Sequence, residues 1–222
     1  MDETAAHLGV TAKAYGEVAE LYFGLARNDI GTVPLDRAML GAFAEFVRPA
    51  AGLTGDLGCG PGYMSAMLTG MGLDVLGVDL TPEMIDIARA NYPEPRFEVG
   101  SMDALDLADD ALVGIVSWYS VIHTPPAELP EYFAEFRRVL VTGGHLLIAF
   151  FESEDGRVEA FDHKVATAYR WPIEEVRDLA REAGFAEIGR MMREPKEDER
   201  QFRRGHLLLR ATSDQSGQTG AR

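Results

Sequence analysis

Residues 55–64 read GDLGCGPGYM, with glycines at positions 55, 58, 60 and 62. Glycine weakens regular structure and is kept where the chain must turn sharply or let something approach closely. The residues before it, LTGDLGC, read as a short strand, and those after it, PGYMSAMLTGM, as a helix. The glycines therefore sit in a strand-to-helix turn. In an open α/β sheet that turn lies at the carboxyl end of the strand, where ligands bind, and the helix N-terminus beyond it favours negative charge. The spacing by itself also fits a tight turn with no ligand.

The same unit recurs along the chain. LDVLGVDL (73–80) reads as a strand and TPEMIDIARANY (81–92) as a helix, with Thr81 as N-cap, Pro82 in the first helical position and Glu83 in the first turn. RFEVGS and ALVGIVSWYSV are strands, the second apolar enough to be buried on both faces. PAELPEYFAEFRRVL is a helix that Pro130 can start, GGHLLIAFFES a strand, and PIEEVRDLAREAG a helix ending at Gly184. FAEIGRMMRE and RRGHLLLRAT are two strands with no helix between them, so they predict an antiparallel hairpin. Ahead of all this, TAKAYGEVAELYFGLA (11–26) and PLDRAMLGAFAEFV (34–47) carry apolar residues at helical spacing. Alternating strands and helices predict a doubly wound α/β fold with a mostly parallel sheet, here one domain over residues 1–212 with N-terminal cap helices in 11–50. The polar residues 213–222 read as a disordered tail.

Asp79 ends the second strand, about 20 residues after the glycines, where an acid can accept both hydroxyls of a ribose. The other reading of Asp79 is a cap for the following helix, a role Thr81 is placed to fill. Loop and acid together read as a nucleoside pocket. Asp56, two residues before Gly58, makes the loop awkward for a pyrophosphate and suits a ligand bearing an ammonium or sulfonium.

These stretches resemble, in order, the motifs of the class I S-adenosylmethionine-dependent methyltransferases, in the small-molecule type 11/25 branch. GDLGCGPGY is similar to their first motif, GVDLTPEMIDIAR to the second, GSMDAL to the third and ALVGIVSWYSVIHTPPAEL to the fourth. FAEFRRVLVTGGHLLIAF is similar to the approach to their fifth strand, and YGEVAELY to the front helix of the branch. The match runs from about Tyr15 to about Thr212. The resemblance implies a Rossmann-like seven-stranded sheet with its last strand inserted antiparallel. It implies S-adenosyl-L-methionine as cofactor, with Gly58, Cys59, Gly60 and Gly62 under its methionine part and Asp56 near its ammonium. Asp79 would take the ribose, Leu80 and Met84 would pack by the adenine, Ser101 and Met102 would flank it, and Asp103 would meet its amine. Trp118 and Tyr119 would line the cofactor and face the acceptor, and Tyr15 and Tyr22 would close the site. Cys59 also reads as a small buried filler.

Three residues are candidates for catalytic work. His123 follows the fourth strand and should face the ligand; it reads either as a base or as a loop residue that bonds backbone and shapes the pocket. The segment GRVEAFDHKVATAYRW (156–171) is too long for a simple connection and reads either as a substrate lid or as a short amphipathic helix. It supplies His163, with Tyr169 beside it, and Tyr119 completes the catalytic set. His7 is expected at the surface, and His145 and His206 in strands as core or surface residues. No metal site is expected.

The formal net charge is −15, which disfavours nucleic acid. The one basic cluster, ERQFRRGH, lies beside the acidic REPKEDER and reads as a solvated surface. One cysteine, no apolar run of membrane length and an N-terminus unlike a signal peptide fit a cytoplasmic protein with no membrane partner. The expectation is methyl transfer to an oxygen or nitrogen of a small molecule, such as a secondary metabolite, with a homodimer as the assembly considered. The alternatives are a protein or RNA methyltransferase, or a protein that holds the cofactor without transferring methyl.

Overall fold

The computed structural model describes residues 3–26 and 32–213. The expected tail at 214–222 lies outside the described residues. Five parallel strands come first: β1 (Leu53–Leu57), β2 (Asp74–Asp79), β3 (Arg96–Val99), β4 (Leu112–Trp118) and β5 (Leu140–Phe151). A short antiparallel pair follows, β6 (Glu159–Asp162) and β7 (Thr167–Arg170), and then β8 (Phe185–Arg193) and β9 (Arg204–Ala211). The helices are α1 (Glu3–Ala26), α2 (Pro34–Val47), α3 (Tyr63–Gly70), α4 (Pro82–Asn91), α5 (Leu129–Val139) and α6 (Ile173–Glu182).

The main sheet has seven strands in the order β3-β2-β1-β4-β5-β9-β8. β1 to β5 pair in parallel, while β9 runs antiparallel to both β5 and β8. The strand order reverses between β1 and β4, which puts a crevice beyond their carboxyl ends. The doubly wound sheet and the terminal hairpin thus form as the sequence predicts.

The strands are apolar on both faces because helices cover both. On one side Phe133, Phe136 and Val139 of α5 and Val176 of α6 meet Ile115, Leu146 and Ile148 of the sheet, all buried. On the other, Leu40, Phe43 and Val47 of α2 and Leu68 of α3 meet Val75, Val116 and Leu147. A fully buried side chain of this size contributes roughly 1.5–3 kcal/mol, so these two layers fix the sheet. Gly114 of β4 is required by the second layer, since a Cβ there would come within 2.7 Å of Val47. Among the described residues no helix is long and apolar enough to cross a membrane.

Three expectations need correction. α1 starts at Glu3, a further two turns before the predicted start, and carries His7 over the crevice rather than into solvent. Residues 156–171 contain the hairpin β6–β7 and no helix, because β-branched and aromatic residues there pair across two strands. The basic cluster is not a solvated surface. Arg204 of that cluster is buried, and so is Arg193, the first residue of the acidic stretch beside it, which forms paired bonds to Asp36 (2.7 and 3.0 Å) and to Glu199 (2.7 and 3.0 Å). Arg204 lies 3.5 Å from Glu199 and stacks on the Phe151 ring.

Candidate active site

All three loop glycines adopt positive φ: +75° at Gly58, +52° at Gly60 and +90° at Gly62. A side chain at Gly58 would run into the Cβ of Ser120, and one at Gly62 would come within 2.9 Å of Ala88 and Phe97. At Gly60 a Cβ would meet nothing within 4 Å. The loop is therefore pressed against the protein at its two ends and bare in its middle, where it faces a pocket. The Gly58 and Cys59 amides bond the Val78 carbonyl at 2.7 and 3.0 Å, hanging the loop on the end of β2.

Asp79 completes this corner. One carboxylate oxygen accepts the Gly60 amide at 2.8 Å and the other the Thr81 amide at 2.9 Å. Thr81 occupies the N-cap position of α4 but makes no side-chain cap bond, so Asp79 fixes both the glycine loop and the helix start. Each carboxylate oxygen has a second lone pair, so both remain able to accept a ligand hydroxyl. Burial raises the Asp79 pKa, against the two amide bonds, which lower it.

The pocket encloses about 840 Å³ of empty space, including its mouth. Twelve of the residues singled out in the sequence line it. They are Tyr15 and Tyr22 of α1, Gly58 and Gly60 of the loop, Asp79, Leu80 and Met84 at the end of β2 and the start of α4, Ser101 and Met102 after β3, and Trp118, Tyr119 and His123 after β4. Five do not line it. Asp56 is buried beneath the loop, where Ser65 Oγ donates to it at 2.5 Å; burial lifts its pKa to about 7. Cys59 points away into a small cluster with Ile85, Ala88 and Phe97. Gly62 is the N-cap of α3. Asp103 accepts a bond from Ser101 Oγ. His163 stands behind His123, its ring 5.2 Å away.

The roof is α1. Tyr15, Tyr22 and Phe23 pack with Ala19 onto Met84 and Ile87 of α4, and Phe23 stacks on Tyr63 of α3 at 5.3 Å. His7, Leu8, Thr11 and Ala12 extend this roof, with His7 Nδ1 3.4 Å from Glu128. The pocket also takes in Thr81, Gly100, Ser120, Thr124 and Tyr132. The predicted helix begins at Thr11 and leaves His7 and Leu8 outside it, because no apolar period reaches back to His7.

At the far end Tyr119 holds φ at +55°, an uncommon conformation for a residue with a side chain. Its amide donates to the Ala149 carbonyl at 2.9 Å, which ties this turn to β5. Its buried hydroxyl has no hydrogen-bond partner, and Arg204 lies over its ring. His123 is held at both nitrogens. Nδ1 lies 2.8 Å from the Thr167 carbonyl, and a carbonyl only accepts, so Nδ1 carries the hydrogen. Burial lowers the His123 pKa, which keeps the ring neutral and makes Nε2 the acceptor of the Tyr15 hydroxyl at 2.9 Å. His163, by contrast, has its buried Nδ1 unpartnered, and burial together with His123 lowers its pKa to about 4. Among the described residues no group of three or more His, Cys, Asp or Glu side chains could hold a metal ion.

With the Asp79 carboxylate in its wall and bare backbone at Gly60, the pocket suits a ligand that donates hydroxyls. Residues 55–144 match the family described as a methyltransferase domain. Over 94 residues the chain is 37% identical to an uncharacterized methyltransferase of Mycobacterium tuberculosis, a match covering 41% of this chain and 36% of the relative. It is 33% identical over 94 residues to malonyl-[acyl-carrier protein] O-methyltransferase of Serratia marcescens, covering 42% and 36%. The chain thus spans about a third of the length of these curated relatives. The solved structure of Burkholderia thailandensis 1,6-didemethyltoxoflavin-N1-methyltransferase, with bound 1,6-didemethyltoxoflavin and S-adenosylhomocysteine, shares the fold over 91% of both chains, at a TM-score of 0.64 and 21% identity. Over residues 55–144 the chain is thus similar to methyltransferase domains, and the seven-stranded sheet with its inserted antiparallel strand is the fold it shares with the solved neighbour.

Proposed function

We propose that the chain transfers a methyl group from S-adenosylmethionine to an oxygen or nitrogen of a small-molecule acceptor, in the cytoplasm and without a nucleic-acid partner. The observation that carries this reading is the Asp79 carboxylate clamped to Gly60, with bare loop backbone beside it in the pocket. Asp79 then accepts the ribose hydroxyls, and Gly58, Gly60 and Gly62 lie under the methionine part, with Asp56 beneath its ammonium. Leu80 and Met84 pack against the adenine, Ser101 and Met102 flank it, and Asp103 meets its amine. Tyr15 and Tyr22 cover the bound molecule. Trp118 and Tyr119 line the end where the methyl is passed.

The cofactor, when bound, supplies a methyl already activated on a sulfonium. What the chain adds is alignment and the exclusion of water. The α1 roof and the hairpin β6–β7 provide that exclusion. Where the acceptor carries a proton, His123 is tied at both ring nitrogens and is not free to take it, while His163, with an unpartnered buried Nδ1, stands behind His123 and does not line the pocket. The aromatic rings of Tyr119, Phe151, Phe161 and Phe202, spaced 4.9–6.0 Å apart, favour a flat apolar acceptor. The net charge of −15 weighs against RNA as acceptor.

Calorimetric titration with S-adenosylmethionine and with S-adenosylhomocysteine tests the reading first. Micromolar binding of both, followed by release of S-adenosylhomocysteine in an acceptor screen, is the expected result. A folded protein that binds neither would overturn it. Binding of both with no turnover against small molecules, proteins or RNA would leave a cofactor-holding protein.

A further inference from the structure

His123 joins three pieces of chain that are far apart in sequence. It sits in the short turn after β4, accepts the Tyr15 hydroxyl of α1 at 2.9 Å, and donates to the Thr167 carbonyl of β7 at 2.8 Å. Tyr15 and Asp79 line the same pocket, and the Tyr15 ring packs edge-on against Tyr22 at 5.8 Å. A continuous line thus runs from the ribose corner through Tyr15 and His123 to the hairpin.

The hairpin has a second anchorage at its other side. Arg200 donates to the carbonyls of Asp162 and His163, both at 3.2 Å, and Phe161 packs on Phe202 at 4.9 Å. That side is held by the loop before β9 and has no link to α1 among these contacts. No hairpin residue is among those lining the pocket; the Thr167 edge meets the pocket wall through its bond to His123.

We propose that His123 is a positioning residue, the joint through which occupancy of the cofactor corner sets the hairpin over the acceptor side. The inference rests on the function proposed above. A ligand at Asp79 steadies Tyr15, Tyr15 steadies the imidazole, and the imidazole fixes the Thr167 edge. Acceptor entry under β6–β7 then depends on whether the cofactor is in place. An imidazole suits the task because one ring nitrogen donates while the other accepts, and its two bonds point in opposite directions. The same engagement keeps Nε2 away from an acceptor proton.

The test is amide hydrogen exchange on the full chain and on Tyr15→Phe, which removes the hydroxyl and keeps the ring. Each is measured alone and with S-adenosylhomocysteine at a concentration that calorimetry shows to be saturating for that protein. In the unliganded proteins, Tyr15→Phe should speed exchange at 167–170 by about 3- to 10-fold, the worth of one hydrogen bond, with β1 and β4 amides unchanged as the folding control. S-adenosylhomocysteine should slow exchange at 167–170 in the unsubstituted chain by at least about 3-fold and leave it little altered in Tyr15→Phe. Unchanged hairpin exchange in unliganded Tyr15→Phe would overturn the joint, whether or not the cofactor binds. So would slowing by S-adenosylhomocysteine that is equal in both proteins. Failure of S-adenosylhomocysteine to bind the unsubstituted chain would strike the proposed function instead, and the unliganded comparison would still decide whether the joint exists.

Discussion

Asp56→Asn should make the protein more stable above neutral pH and should weaken cofactor binding. Asp56 is 1% exposed, and burial lifts its pKa from 3.8 to about 7. An acid whose proton is held more tightly in the folded state contributes stability that is full below the unfolded pKa. That stability is lost as pH rises through the folded pKa, here from about 4 to about 7. With those two values, the folded protein should lose about 2–3 kcal/mol on this group alone between about pH 5 and about pH 8. Asparagine has the shape of the protonated acid and can still accept the Ser65 hydroxyl, so it escapes that loss. The assay is urea unfolding of both proteins at the two pH values. Other groups titrate over the same range, but they cancel in the difference between the two proteins. Asp56→Asn should gain about 2–3 kcal/mol on its parent between the lower and the higher pH. A difference that does not change with pH would show that Asp56 is not a buried acid with a raised pKa, and the reasoning would fail. At the higher pH the parent keeps a negative charge under the loop that the variant lacks. Calorimetry there should show weaker S-adenosylmethionine binding by the variant despite its greater stability.

Other substitutions probe the same architecture. Gly58→Ala forces a side chain into positive φ and against Ser120, and should cost about 2–5 kcal/mol in chemical unfolding; an unchanged midpoint would contradict the loop geometry. Asp79→Ala removes the acceptor for two amides and for the ribose, and should lower S-adenosylhomocysteine affinity at least about 100-fold by calorimetry; retained affinity would end the ribose assignment. Arg193→Met strands the buried Asp36 beside Glu199 and should destabilise by about 3–5 kcal/mol, read by thermal and urea unfolding, whereas a neutral result would mean the network is wet.

The strands and helices were legible because each is written locally. VLGVD and GIVSW are short apolar runs, TPE starts a helix, and the Gly58–Gly62 spacing demands backbone that only glycine adopts easily. Asp79 could be picked out for the same reason, since its partners at Gly60 and Thr81 are set by the turn it ends. What escaped the reading is held together across long sequence separations. ERQFRRGH looked solvated beside REPKEDER, and nothing local shows that Arg193, the first residue of REPKEDER, meets its buried partner Asp36 from 157 positions away. The hairpin β6–β7 was ambiguous because four-residue strands give too short a pattern to separate from a helix or a loop. His123 was rightly expected on the ligand side, but nothing in SVIHTPP shows that Tyr15 and Thr167 would take its two nitrogens.

The place of β9 has a consequence for how the molecule is made. It follows the other eight strands in sequence, yet it lies inside the sheet between β5 and β8, with Leu207, Leu208 and Leu209 buried. During synthesis the first five strands can pair as they emerge, but β5 keeps an open edge and β8 has no neighbour to pair with. The sheet closes only when residues up to Ala211 have left the ribosome. Until then the nascent chain presents the edge of β5, from His145 to Phe151, to any other strand it meets. A chain cut short before β9 should therefore aggregate rather than merely lose stability, and shielding that edge is a task for chaperones until β9 has emerged.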